Sequence, residues 1–454
     1  MIDMSYLTLY QALQKVLDRD EQINYILSSE MAGQIELWSA MYKDRSPWLK
    51  RGEGGAGIPA AVAAEVARLT TLELVSKVEG SEFLDKCYQQ VMSQLRIQTE
   101  YAFAKGGLIF KPYVSRGMEI QYIQADNFFP LEYDSGMITR CAFLDQFRKG
   151  DSIYSRVELY SLNDEGLDIK NRAFVSRISG ILGTEVSIKT VPRWAELEEE
   201  MVFSGVEKLP FGYFRVPLGN NVDPGSQVGV SVFSKAVGHI READKRYTQI
   251  NWEYEAKEAA VHIAESLLEY NPDTDSFRYP GGKKRLYRKV NYNTGAADKP
   301  LIEEYSPDIR DASLINGFNQ ILRLIEFDCN LAYGTLSDPS TVEKTAEEIK
   351  ASKQRSYSFI ESCQTALQVA LEDFVDAMTF WADAYGINHP SGYRTTFVWD
   401  DSIVVDAEKE RSTDRADVSM GAMQLWEYRM KWYGEDEATA KAAVMATQDS
   451  GVIE

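Results

Sequence analysis

Hydrophobic positions recur every three to four residues through DASLINGFNQILRLIEFDCNLAYG, Asp311 to Gly334, where Leu314, Ile315, Phe318, Ile321, Leu322, Ile325 and Cys329 share one side of a helix. Asp311 stands where an N-cap is expected, and Gly334 where the helix should stop. The polar stretch TLSDPST, centred on Pro339, breaks the pattern. Ser340 to Glu343 then has the form of a capping box, and from Val342 to Ala384 neither proline nor glycine interrupts the chain. That run predicts one helix of about 43 residues, roughly 65 Å long. Few globular helices reach such a length, and a rod of this kind usually crosses an assembly or packs against copies of itself.

Upstream, a helical pattern runs from Thr8 to Trp38, with Leu9, Leu13, Val16, Leu17, Ile23 and Ile26 as its apolar face. Two more are predicted over Ala61–Val78 and Phe83–Ala104, the second carrying Leu84, Cys87, Val91, Leu95 and Tyr101. Between them and the first, RGEGGAGIPA at Arg51–Ala60 reads as a flexible linker; it lacks the GK[ST] ending of a phosphate-binding loop. From Gly107 the period falls to two. LIFKPYV, IQYIQA, ITRCAFLDQF, SRVELYSL, EVSIKTV and YFRVPL are predicted strands, separated by Gly, Asp and Asn turns and ending near Leu218. A further helix is predicted from Val228 to Ala260, its stripe made by Val232, Phe233, Ala236, Val237, Ile240, Ala243, Tyr247, Ile250 and Tyr254. Val261–Arg310 is turn-rich, with short strand candidates, and is bounded by helices on both sides. After the long helix, TTFVWDDSIVVD predicts a strand pair, and Val418–Tyr433 and Glu435–Thr447 predict short helices hinged at Gly434, before a frayed end at Gln448–Glu454. The fold class is α+β.

Composition narrows the function classes. A chain of 454 residues exceeds the usual single domain, so two or more modules are expected. No apolar run is long enough to cross a membrane, and Met1–Tyr10 lacks the basic flank and apolar core of a signal peptide, so a chain that neither spans a membrane nor is exported is expected. Four scattered cysteines (Cys87, Cys141, Cys329, Cys363) with three histidines and no CxxC indicate neither structural zinc nor a disulfide framework, and fit a reducing cytoplasm. The net charge of −20 argues against a protein that grips nucleic acid, because tight binding requires Lys and Arg to displace counterions from phosphate. A surface past which DNA slides without sticking is compatible with it, as is plain solubility.

Two blocks carry a family resemblance. AYGTLSDPSTVEKTAEEIKASKQRSYSFIESCQTALQVAL and, upstream, LPFGYFRVPLGNNVDPGSQVGVSVFSKAVGHIREADKRYTQINWEYE resemble the core of portal proteins of tailed bacteriophages, above all those of long-tailed phages of Gram-positive hosts. Asn221, Asp223, Pro224, Gly225, Ser226, Gly229 and Ser231 stand where that family has its NxxDPxSPxGxS loop; Gln227 departs from it at a position where proline is common. The blocks are correctly ordered and spaced, and weaker similarity extends over most of the chain. The resemblance implies a wing from 1 to 218, a stem helix over 219–260, a clip at 261–310, a second stem helix over 311–333 and a tunnel loop at 334–341. A long wing helix (342–387), returning wing strands (388–412) and helical crown (413–454) complete it. It further implies twelve copies in a ring at one capsid vertex, double-stranded DNA in the channel, and in turn the terminase large subunit and a head-completion or adaptor protein at the clip. Major capsid and scaffold proteins would lie against the wing, with the protein located in the virion after assembly in the host cytoplasm.

Residue assignments follow from that placement. Thr335, Leu336, Ser337, Asp338, Ser340, Thr341 and Lys344 are assigned to the DNA-facing tunnel loop, whose short side chains can touch a phosphate backbone without trapping it; an ordinary helix connector accounts for the same residues. Lys283, Lys284, Arg285, Tyr287, Arg288 and Lys289 form the densest basic patch and are assigned to partner binding at the clip; a solvated strand face is the plain alternative. Phe233, Ile240, Tyr247, Ile250, Phe318 and Ile325 are assigned to the oligomer interface. The acidic runs Asp400–Asp401 and Glu198–Glu200 lack a histidine or a DxDxDG pattern and read as solvated charge. With no GxSxG, Walker or HExxH motif, no enzyme, cofactor or metal is expected. A different virion protein of the neck or capsid-associated type is the competing reading; its mark would be sustained a/d heptads, which the stripes interrupt.

Overall fold

Helix α1 (Tyr6–Leu17) buries Tyr6, Leu9, Tyr10, Leu13 and Leu17, and α2 (Ser29–Tyr42) begins where the Ser28 hydroxyl accepts the Met31 amide at 3.1 Å. The computed structural model describes residues 6–17, 27–50, 52, 54–115, 117–134, 136–257, 260–264, 268–272, 276–278, 287–290, 302–305, 308, 310–338, 346–390, 392–399 and 407–449. The single helical pattern predicted from Thr8 to Trp38 is therefore two helices, and Ile23 lies with Ile26 outside the described residues. Helix α3 (Ile58–Thr71) carries Pro59 in its first turn and stops before β1 (Leu74–Glu79). The helix expected over Ala61–Val78 is thus cut short. Ser76 and Val78 alternate with exposed neighbours at period two, and a distant strand supplies the ladder.

Helix α4 (Glu82–Lys105) is capped by Ser81, whose hydroxyl accepts the Leu84 amide, and is ended by Gly106 at φ +101°. Strands β2 (Gly107–Val114), β3 (Met118–Gln124), β4 (Phe128–Asp134), β5 (Met137–Lys149), β6 (Ser152–Asn163), β7 (Gly166–Ser176), β8 (Thr184–Val186), β9 (Glu200–Ser204) and β10 (Gly212–Arg215) follow. They form two antiparallel sheets: β10-β2-β3, and β4-β5-β6-β7-β8 with β9 also on β7. The period-two prediction misses β4, β7 and β9, and of EVSIKTV only the start is strand, a 3-10 turn taking Ile188–Thr190.

The helix predicted to start at Val228 instead begins at Val237. Residues 228–233 run through the core as an irregular buried stretch, with the Val232 amide on Phe103 O at 2.9 Å and the Ser231 hydroxyl on the same oxygen. Here Gly229 crosses Gly106 so closely that a Cβ on Gly229 would lie 2.0 Å from Gly106 O. Helix α5 (Val237–Ala256) then leads to β11 (Ala260–Ala264), β12 (Glu269–Asn271), β13 (Ser276–Arg278), β14 (Tyr287–Val290) and β15 (Ile302–Tyr305), in which β11 pairs parallel with β14 and antiparallel with β15. Helix α6 (Asp311–Asp328) has Arg310, not Asp311, at its N-cap; Asp311 sits in the first turn, its carboxylate accepting the Ala312 amide. It stops before Gly334 because Asn330 adopts the left-handed φ of 56°.

Helix α7 (Ala346–Ala384) runs for 39 residues and ends where predicted; residues 342–345 lie outside the description. It packs on β10 and β2, and Gly212 permits the approach: a Cβ there would lie 2.1 Å from Ala370 O. Strand β16 (Arg394–Trp399) returns to pair antiparallel with β1, while the second half of the predicted strand pair, 401–406, lies outside the description. Residues 407–412, expected as strand, belong to α8 (Ala407–Met420), whose AEKER start is strongly helix-forming. The helix predicted over Val418–Tyr433 is broken at Gly421, φ +76°, before α9 (Leu425–Tyr433), which Gln424 and Glu427 start as a capping box. Gly434 at φ +66° ends α9 as predicted, and α10 (Glu437–Asp449) follows. Long helices and mainly antiparallel sheets share one core, and the class is α+β.

Candidate functional site: the helix pair and its loops

Helices α5 and α6 lie antiparallel. His239 Nδ1 meets the Asp328 carboxylate at 2.8 Å at one end, and Arg310 grips both oxygens of Glu253 at 3.1 and 3.0 Å at the other. Along α5 the stripe Ile240, Ala243 is buried at the His239 end, then continues outward as Tyr247, 37% exposed, half-buried Ile250, and Tyr254, 45% exposed. Along α6 the same happens in reverse: Cys329, Ile325 and Leu322 are buried, whereas Phe318 is half-buried and Ile315 exposed. Both stripes run past the end of their own core.

Three residues assigned to the oligomer interface are therefore corrected. Phe233, Ile240 and Ile325 are fully buried within one protomer, since the inner halves of α5 and α6 pack on each other and on the 3-10 turn Ser234–Ala236. Tyr247, Ile250 and Phe318 lie on the outer halves, where surface remains. Trp252, Leu324 and Phe327, none of them assigned from the sequence, are exposed on the same two helices, off the apolar stripe.

At the outer end the insertion between the helices is stapled at its base. Glu253 accepts from Arg310 and from Lys257 at 3.0 Å, and the Lys257 ammonium also donates to Asp308 O at 2.6 Å. Hydrogen bonds from Arg310, then Lys257, hold the Glu253 carboxyl down at about 2, against an ordinary 4.5. Of the basic residues assigned to the clip, Tyr287, Arg288 and Lys289 lie on β14, opposite Val261, His262 and Ile263 of β11; Lys283, Lys284 and Arg285 are outside the described residues.

The connection from α6 to α7 is only partly a surface loop. Thr335 and Asp338 are exposed, and Leu336 is half-buried. Ser337 is 3% exposed, with its hydroxyl on Glu326, so its assignment as a DNA-facing hydroxyl is corrected: the side chain points inward to satisfy a buried carboxylate. Ser340, Thr341 and Lys344 lie outside the description. The flanks are held by the Tyr333 amide on Ser352 Oγ at 2.8 Å and by Arg355, which stacks over Phe327 and Tyr333 and donates to Leu331 O.

Arg51–Ala60, read as a flexible linker, is instead anchored within its described part. The Gly55 amide donates to Asp44, the Ala56 amide to Asp244 Oδ1 at 2.9 Å, and Trp48 Nε1 to Asp244 Oδ2 at 2.9 Å, which ties this glycine-rich segment to α5. All four cysteines are free and buried, and burial pushes the Cys141 thiol well above its ordinary range. Glu198 pairs with Lys189, and Glu200 with Lys170; Asp400 and Asp401 fall outside the description. Among the described residues no group of three or more His, Cys, Asp or Glu side chains is gathered to hold a metal ion, and no helix is long and apolar enough to cross a membrane. Comparison with known protein families and with curated proteins finds no match for this chain.

Proposed function

We propose that this chain is a portal-type protein of a tailed bacteriophage, whose copies close into a ring at one capsid vertex and pass double-stranded DNA during packaging and ejection. The observation that carries the reading is the α5–α6 pair: two antiparallel helices, stapled around an inserted strand module, whose apolar stripes outrun their own core. Such surface gains roughly 25 cal/mol for each Å² that a neighbour covers. A ring gives every copy a neighbour on both sides, provided that the contact is heterologous and the rotation closes. The order of helix, strand-rich insertion, helix, polar turn and very long helix is the order the sequence resemblance implies.

In this reading the outer halves of α5 and α6 meet the next copy, and Tyr247, Ile250, Tyr254, Ile315 and Phe318 are its contacts. The insertion, with Tyr287, Arg288, Lys289 and the basic run Lys283–Arg285, docks the terminase large subunit and then the head-completion adaptor. The sheet-rich body contacts the major capsid and scaffold proteins. Thr335 and Asp338, with Ser340, Thr341 and Lys344, border the DNA, and the net charge of −20 lets the duplex slide. The protein's work is mechanical, and the packaging ATPase is a separate chain.

Negative-stain class averages of the purified protein test this directly. Twelvefold rings with a central hole are expected; monomers or filaments at high concentration would overturn the reading. Tyr247→Glu combined with Ile315→Glu should abolish rings and leave a folded monomer.

A further inference from the structure

The turn between α6 and α7 is organised around one carboxylate. Glu326 lies fully buried near the end of α6. Its Oε1 accepts the amides of Leu336 at 2.6 Å, Ser337 at 2.8 Å and Gly334 at 3.1 Å, and its Oε2 accepts the Ser337 hydroxyl at 3.0 Å. Gly334 sits at φ +86°, a left-handed residue of the kind that turns successive amides toward one point and forms a backbone nest for anions. In sequence Glu326 is out of place: a charged residue between Ile325 and Cys329, both buried.

We propose that residues 334–337 form an oxyanion cradle, that the chain fills it with the Glu326 carboxylate as an internal ligand, and that this ligand sets the conformation of the turn. A carboxylate taken out of water is strongly disfavoured unless its lone pairs are met, and four donors from one short segment meet them here. The dependence is mutual, because the buried Ser337 amide and the half-buried amides of Gly334 and Leu336 each lose an acceptor without it. The flanking anchors on Ser352, Arg355 and Asn319 come from the helices and remain when Glu326 is changed. Loss of the carboxylate therefore loosens the cradle and leaves the helices in place. The inference concerns one protomer and stands whether or not the ring forms.

Hydrogen exchange on the full chain tests it. Glu326→Met keeps the length of the side chain and removes both acceptor oxygens, and exchange at 334–337 should speed by about 10-fold or more, while residues 363–382 of α7 keep their protection. Glu326→Ala should lose the same protection and regain it in excess formate, a free carboxylate of the right size, but not in chloride at equal ionic strength. Unchanged exchange in Glu326→Met would mean that apolar packing sets the turn, and the proposal fails. Loss in Glu326→Ala that formate does not reverse, whether confined to the turn or spread through the whole chain, overturns it equally.

Discussion

Around Phe374 the chain closes upon itself: α7 brings Leu367, Leu371, Phe374 and Met378 onto β10 and β2, and each is fully buried. Along the outer half of α5 and α6 the same amphipathic pattern leads out of the core, and Tyr247, Tyr254 and Ile315 stand in the open. The two regions follow one rule of side-chain spacing and differ in what lies opposite. In the body, aromatic partners are supplied by the same chain, with Phe110 against Phe374 at 6.1 Å and Phe128, Phe143 and Phe211 in mutual contact. On the helix pair the described residues supply the pattern but not the partner. An apolar stripe thus marks surface suited to burial, and only the fold reveals how much of it the chain itself buries.

The comparison breaks most sharply at the centre of the body. Phe374→Ala should cost about 3–5 kcal/mol, read as a lower urea midpoint with unchanged slope, because no neighbour can refill the space on the β10 side. A smaller loss is expected from Lys111→Met. The Lys111 ammonium donates to Glu158 at 2.6 Å inside the sheet body, and its removal should cost about 1–3 kcal/mol, since Arg156 and Tyr160 still reach the carboxylate.

Acid unfolding sharpens the same point. Burial pushes the Glu158 carboxyl up, but Lys111 and Arg156 outweigh it and hold it at about 2 against an ordinary 4.5. A depressed carboxyl contributes stability that is complete above its unfolded value and is lost as pH falls through the folded one. Wild-type stability should therefore fall between pH 4.5 and about 2, and Glu158→Gln should flatten that limb of the profile. The smallest effect on stability belongs to the helix pair. Tyr247→Ser with Tyr254→Ser should change the unfolding free energy of the monomer by no more than about 0.5 kcal/mol each. Sedimentation should nonetheless show assembly lost, and a large drop in monomer stability would mean that the stripe is covered from within.

Much of the helical framework was legible in the sequence. α4, α6 and α7 fall where the 3.6-residue period puts them, and the last residue of α7 is the predicted one. Strand legibility was poorer where burial on both faces removes alternation: β4 buries four successive residues, Phe128 to Leu131, and was missed. Residues 228–233 misled for a related reason. Val228, Val230, Val232 and Phe233 are apolar enough for a helix, yet the Gly229–Gly106 crossing and the bonds to Phe103 O are contacts over 120 residues away that no local pattern encodes. The candidate surfaces were read one level too coarsely. The stripe named Phe233, Ile240 and Ile325 beside Tyr247, Ile250 and Phe318, and nothing in the spacing separates the covered half from the open one. Ser337 was placed by the resemblance and by its short polar side chain, whereas its neighbour in space, Glu326, is eleven residues distant.

The staple at the foot of the insertion has a consequence for how such a chain can change over time. Glu253, Lys257, Arg310 and the carbonyl of Asp308 already hold the entry and exit of the segment together, so the span the insertion must bridge is independent of its length. Lengthening a segment whose ends are fixed adds only a logarithmic entropy term, about 0.6 kcal/mol per doubling. The strand module is therefore an exchangeable insert on a constant mount: its length and content can vary, and an engineer can graft a foreign domain there, without disturbing the register of α5 against α6.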